Sequence, residues 1–202
     1  MSAWLPFTLF AFVASITPGP TNLLILAQGS RRGWKSALPA VFGASLAAAA
    51  IVLAVGLGLS QTLLAYPLVR RLMAAIGVAW LSWLAWRLFR SPPPEVEAGD
   101  EISAAPAFGA RQAAGLQLIN PKTWMMALSV VGVFAGPASR ALDIALLALT
   151  FGVVALPCLA LWGLVGSGVA RLFRHPYQWQ WFNRVLALLL LSVAWWSLLI
   201  TG

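Results

Sequence analysis

Ser15-Ile16-Thr17-Pro18-Gly19-Pro20-Thr21-Asn22 is the segment on which the reading of this chain turns, and Asn120-Pro121-Lys122-Thr123 is its counterpart 100 residues later. Each places helix breakers and hydrogen-bonding side chains inside an otherwise apolar run. Proline lacks a backbone donor and collides with the preceding turn, so two prolines flanking a glycine predict an interrupted helix with free carbonyls and amides. In hydrocarbon such groups persist only where protein or a water-filled cavity satisfies them.

The surrounding composition says that these runs do lie in hydrocarbon. Of 202 residues, 61% are hydrophobic and 9% charged, which leaves a soluble domain almost nothing to show to water. A spanning helix takes about 20 apolar residues, and six take roughly 120, leaving loops but no second folded domain. Thirteen basic residues face five acidic ones. They stand at the ends of apolar runs, whereas a nucleic-acid binder clusters them on one soluble face, so no nucleic-acid partner is expected. With one cysteine, Cys158, and one histidine, His175, neither a disulfide framework nor a Cys/His metal centre is available, and no cofactor is expected.

Charge marks the boundaries, because each charged side chain costs about 2.5–3.5 kcal/mol at the centre of an inserted helix. The charge-free gaps predict an all-α polytopic protein with six spans, near 4–28, 37–60, 67–89, 112–135, 142–168 and 182–200. The first apolar run lacks a basic leader and a cleavage-like site, so it reads as a retained helix rather than a signal peptide. Trp4, Trp34, Tyr66, Trp86, Tyr177, Trp179 and Trp181 fall near span ends, as interfacial rings do. Trp80, Trp83, Trp124 and Trp162 lie deeper and read as packing residues.

The loops that follow spans one, three and five, with their flanks, contain Arg31, Arg32, Lys35, Arg87, Arg90, Arg111, Arg171, Arg174 and Arg184. The opposite side has Arg70, Arg71 and Arg140. The richer side is expected to be cytoplasmic, which puts both termini outside. From Ser91 to Gly109 the chain becomes proline-rich and acidic, the signature of a flexible cytoplasmic linker. It divides one transmembrane domain into halves at 1–90 and 111–202, joined by a linker at 91–110. Three helices per half force the halves into opposite orientations, the arithmetic of an inverted repeat, and the first helix of each half is the broken one.

Breaks in corresponding positions point to a midplane binding site. Thr17, Pro18, Gly19, Pro20, Thr21 and Asn22 from one half, with Asn120, Pro121, Lys122 and Thr123 from the other, are the candidate substrate-binding residues. A lone Pro157 in the fifth span reads instead as a kink. Lys122 lies 11 residues past Arg111, roughly 16 Å along a helix and near the middle of a ~30 Å core. The first 94 residues contain no carboxylate, four of the five acids are in the linker, and Asp143 belongs at an outer helix end. The Lys122 ammonium is then neutralised by deprotonation, by carbonyls freed at the breaks, or by an anionic group entering from outside, unless it snorkels to the headgroups. The lack of membrane carboxylates disfavours a bare cation as substrate and favours a small carboxylate-bearing solute. Such a carboxylate suits Lys122 and a freed helix N-terminus. Ala40, Gly43, Ala44, Ala47 and Ala48, and later Gly152, Gly163, Gly166 and Gly168, predict close helix packing.

With these motifs in view the chain resembles the LysE/RhtB-type amino-acid exporters of bacterial inner membranes over essentially its full length. The resemblance rests on Thr17-Pro18-Gly19-Pro20 followed by Asn22, on the small-residue second helix with Gly33 and Gly43, on the acidic linker and on Asn120-Pro121-Lys122. Many members have asparagine directly after the second proline, where this chain has Thr21. The resemblance implies export of amino acids or related metabolites driven by an ion gradient, and it allows a homodimer. An intramembrane enzyme is the alternative, but it would have to work without membrane Asp, Glu or His, using Ser15 or Ser129 with Lys122. An accessory subunit without its own substrate, and a passive channel, are further readings.

Overall fold

The computed structural model describes residues 4–59, 67–91, 108–135, 139–173 and 175–201. The acidic linker, apart from its ends, lies outside the described residues. Among those residues the fold is entirely helical: α1 Trp4–Ile16, α2 Pro20–Arg32, α3 Trp34–Ala54 with a π turn at Val55–Leu59, α4 Pro67–Phe89, α5 Ala110–Ile119, α6 Pro121–Phe134, α7 Ala141–Ala170 and α8 Pro176–Thr201.

Both expected breaks are present. α1 and α2 meet at 58°. α2 starts on Pro20, whose missing N–H matters least at the first position of a helix, after Gly19 in extended backbone. α5 and α6 are separated by Asn120 alone, whose extended backbone (φ −85°, ψ 107°) interrupts the ladder before Pro121. By contrast, α7 runs as one helix through Pro157. Gly33, at φ 79°, makes the sharp corner between α2 and α3, a conformation that L side chains rarely adopt. Ser36 Oγ donates to the Gly33 carbonyl at 2.7 Å and fixes that corner. α7 begins with Asp143 Oδ2 accepting from the Arg140 amide at 2.8 Å, which uses the acid at the helix end rather than in the membrane interior.

Among the described residues, Trp34–Leu59 and Ala141–Ala170 are each long and apolar enough to cross a bilayer, and the bent α1–α2 pair makes a third if taken as one span. The outward surface is correspondingly apolar. Leu5 is 70% exposed, Leu46 74% and Val133 72%, which suits lipid rather than water. This is a multi-pass membrane protein.

The core divides at the level of the breaks. Phe7 and Ala11 of α1 pack with Ala48 and Val52 of α3, Ala127 and Val130 of α6, and Phe151 of α7. Leu23 and Leu26 of α2 pack with Leu81 of α4, Leu116 of α5, and Leu186 and Leu190 of α8. The first piece of one broken helix therefore shares a layer with the second piece of the other. α3 lies against α7, and α4 against α8.

Close approach depends on absent side chains. A Cβ at Gly29 would stand 2.3 Å from the Gly163 carbonyl oxygen, and one at Gly166 2.2 Å from that of Leu26, so α2 and α7 touch backbone to backbone. Gly43 meets the Ala110 carbonyl in the same way where α3 crosses α5. The expected small-residue packing holds at Gly43, Gly163 and Gly166, and Gly29 adds to it. Gly168 differs, with nothing within 4 Å of its Cβ direction.

Candidate functional site

A break in a spanning helix leaves carbonyls without amide partners, and side chains bond five of those near the two breaks. At the end of α1, Asn22 Nδ2 donates to the Ser15 carbonyl at 2.9 Å and Trp162 Nε1 to that of Ile16 at 3.1 Å. Lys122 Nζ donates to the Thr17 carbonyl at 2.7 Å and to that of Pro18 at 3.4 Å. At the end of α5, Trp124 Nε1 donates to the Leu118 carbonyl at 2.8 Å. Each break thus has an indole clasp, and the first has an ammonium as well. Trp162 and Lys122 both come from the second half, so the second half closes the break in the first.

Of the alternatives open for Lys122, the freed carbonyls are the partners found. They form the C-terminal end of α1, where the helix dipole is negative and favours a cation. Gly19 makes room for the lysine stem: a Cβ there would stand 3.1 Å from both Cδ and Nζ of Lys122. The backbone amide of Lys122 is capped by Asn120 Oδ1 at 3.1 Å, so Asn120 ends α5 and starts α6.

Between the breaks lies a cavity of about 30 Å³. Gly19, Thr21, Asn22, Asn120, Lys122 and Thr123 line it, six of the ten residues expected from the sequence. The other four play different parts. Thr17 and Pro18 are exposed and contribute carbonyls to Lys122, while Pro20 and Pro121 start α2 and α6. No side chain caps the N-terminus of α2, which opens on this cavity at Gly19 and Thr21. Ala48, Met126, Phe151, Ala155 and Leu159 supply an apolar wall.

Two polar lining residues were not among the substrate-binding candidates. Gln117, buried, joins Thr21, Asn120 and Thr123 in one hydrogen-bond cluster. The spacing of Gln117, Asn120 and Thr123, three residues apart and so on one face if the helix were continuous, was the available signal. Ser15 Oγ is buried in the same wall and has no hydrogen-bond partner. Of the four tryptophans expected to be packing residues, Trp124 and Trp162 pack against the core and also use their N–H groups at the breaks, whereas Trp80 and Trp83 are 42% and 46% exposed on the outer surface.

The chemistry of the lining is that of binding. It has donors, an ammonium, a helix N-terminus and an apolar wall, and no group of three or more His, Cys, Asp or Glu that could hold a metal among the described residues. A multi-pass helical protein with a polar cavity between two interrupted helices is a membrane translocator for a small polar solute. A family model described as LysE type translocator matches residues 12–201, and the chain belongs to that family. It is 30% identical over 193 residues to a cysteine/O-acetylserine efflux protein of Salmonella typhimurium (strain LT2), covering 93% of each chain. It is 32% identical over 194 residues to a protein of the same name from Escherichia coli (strain K12), again covering 93% of each. No solved structure matches the chain significantly. The family and these relatives are transporters, not enzymes.

Proposed function

We propose that the protein exports a small, neutral-side-chain amino acid or a related carboxylate-bearing metabolite across the bacterial inner membrane by alternating access, as a single transmembrane domain of six spans. The substrate class follows the relatives, which are named for cysteine and O-acetylserine efflux, and the cavity chemistry supports it independently. Among the described residues, Lys122 is the one cation in the lining, and no carboxylate stands there to neutralise it. An amino acid's carboxylate can take that place, beside the open N-terminus of α2. Its ammonium can meet the side-chain oxygen of Asn22, whose nitrogen is held by the Ser15 carbonyl, and the apolar wall limits the side chain to a small, uncharged one.

The observation that carries this reading is the Lys122–Thr17 bond, which locks the two breaks together from opposite halves. The layer pairing of α1 with α6 and of α2 with α5 supports inverted halves at 1–90 and 111–202, joined by the linker at 91–110. A cavity of about 30 Å³ is too small for an amino acid, so the halves have to move apart to admit one. The excess of Lys and Arg in the loops after spans one, three and five places both termini in the periplasm. The test is transport in reconstituted vesicles. Labelled cysteine or O-acetylserine should move under an imposed gradient, and a folded protein that moves neither would end the proposal.

A further inference from the structure

The cluster around Gln117 holds more donors than its acceptor can use. Gln117 Nε2 donates to the Ala44 carbonyl at 3.3 Å. A carbonyl only accepts, so this bond fixes which end of the amide is nitrogen and turns Oε1 toward the cavity. Asn120 is fixed in the same way, because its Oδ1 accepts from the Lys122 amide and its Nδ2 faces Gln117. Three donors then converge on Gln117 Oε1: Thr123 Oγ1 at 2.8 Å, Thr21 Oγ1 at 3.2 Å and Asn120 Nδ2 at 3.3 Å.

A neutral amide oxygen has two lone pairs for these three donors. A carboxylate oxygen, with full charge and greater acceptor capacity, matches them better. Thr21, Asn120 and Thr123 are 3%, 3% and 2% exposed, Gln117 is 6% exposed, and all four line the cavity. The unpartnered Ser15 hydroxyl, 7% exposed, adds another donor to the same wall. The Lys122 ammonium, on that wall, is the countercharge for an anion lodged there.

We propose that Thr21, Asn120 and Thr123 form the carboxylate subsite of the translocator, and that the amide oxygen of Gln117 fills it in this arrangement until a substrate carboxylate displaces it. This rests on the reading of the cavity as the transport site. Because Thr21 belongs to the first half, and Asn120 and Thr123 to the second, a carboxylate in the triad bridges the halves as Gln117 does now. Gln117 is a positioning residue in this scheme, and its displacement couples substrate arrival to release of the Ala44 contact on α3.

The experiment uses formate as the probe. Thermal midpoints of the purified full chain are compared in sodium formate and sodium chloride at equal ionic strength, for the wild type, Q117A and the double variant Q117A/T123V. Q117A should be less stable than the wild type and should recover about 2–4 °C in formate, saturably. The wild type should recover less, and the double variant should not respond. A Q117A protein indifferent to formate overturns the proposal, since a plain structural cross-link would lose stability without regaining it from an anion. If Q117A does not fold, T123V alone decides. Gln117 Oε1 keeps two donors in T123V, so its midpoint should hold while half-saturation for the transported amino acid rises about fivefold or more. An unchanged half-saturation overturns the proposal. Formate binding by Q117A in a protein that transports no amino acid would refute the proposed function and leave the subsite standing. Amino-acid transport with no formate response would do the reverse.

Discussion

Replacing Lys122 by alanine separates the two roles that the structure gives this residue. The substitution removes a charged donor from the Thr17 carbonyl at 2.7 Å and from the Pro18 carbonyl at 3.4 Å. The nearer bond is charge-assisted, and such bonds contribute about 1.5–3 kcal/mol. Water in the cavity that Gly19 and Lys122 line can replace the lost donor in part, which brings the stability loss down to about 1–1.5 kcal/mol. That corresponds to roughly 2–6 °C in thermal midpoint for a chain of this size. Transport should suffer more. A carboxylate in the cavity would lose its countercharge, about 2–3 kcal/mol of binding, or about 30- to 150-fold in specific transport. The assay is counterflow of labelled O-acetylserine in proteoliposomes, normalised to inserted protein, beside the midpoint of the same preparation. Lys122→Gln sharpens the comparison, because its amide keeps a donor for the carbonyls and removes the charge. It should recover stability and not transport. Transport by K122Q within threefold of the wild type would refute the role of the charge.

Four further outcomes are expected. Gly29→Ala and Gly166→Ala force a Cβ to within 2.3 Å and 2.2 Å of backbone oxygens, so each should lower stability by about 1–3 kcal/mol or more, whereas Gly168→Ala, in open space, should leave the midpoint unchanged. Trp162→Phe keeps the ring and removes the donor to the Ile16 carbonyl, which should cost about 1–3 kcal/mol in a denaturation series. Gly19→Ala has an extended backbone that any residue adopts, but its methyl group meets the end of the Lys122 side chain at 3.1 Å. Insertion should be normal and transport reduced several-fold, as read by vesicle flux at matched protein content. Reporter fusions to the C-terminus should report the periplasm.

Much of the site was legible because its signals are single-residue facts. Proline in an apolar run, a lysine 11 residues inside a span and the want of membrane carboxylates each change the energetics by kilocalories, whatever surrounds them. That is why Thr17–Asn22 and Asn120–Thr123 stood out, and why both breaks fall where proline put them. Polar residues of ambiguous meaning were less legible. A glutamine in a span can face a neighbour, a cavity or the headgroups, and the part played by Gln117 depends on Ala44, 73 residues away, and Thr21, 96 residues away. The partner of Lys122 was similarly underdetermined. Charge accounting narrowed it to a short set of options, and only the packing of α6 against the end of α1 brings Thr17 and Pro18 into reach. Ser15 needed the fold too, since its missing partner shows only when the wall around it is built.

The central claim is that the cavity between the breaks recognises a carboxylate. Its most direct test is competition in counterflow between labelled cysteine and two analogues of similar size, one lacking the carboxylate (cysteamine) and one lacking the amine (3-mercaptopropionate). The account predicts that 3-mercaptopropionate competes measurably in the wild type and loses that ability in Lys122→Gln, while cysteamine competes poorly in both. Strong competition by cysteamine, with none by 3-mercaptopropionate, would contradict it.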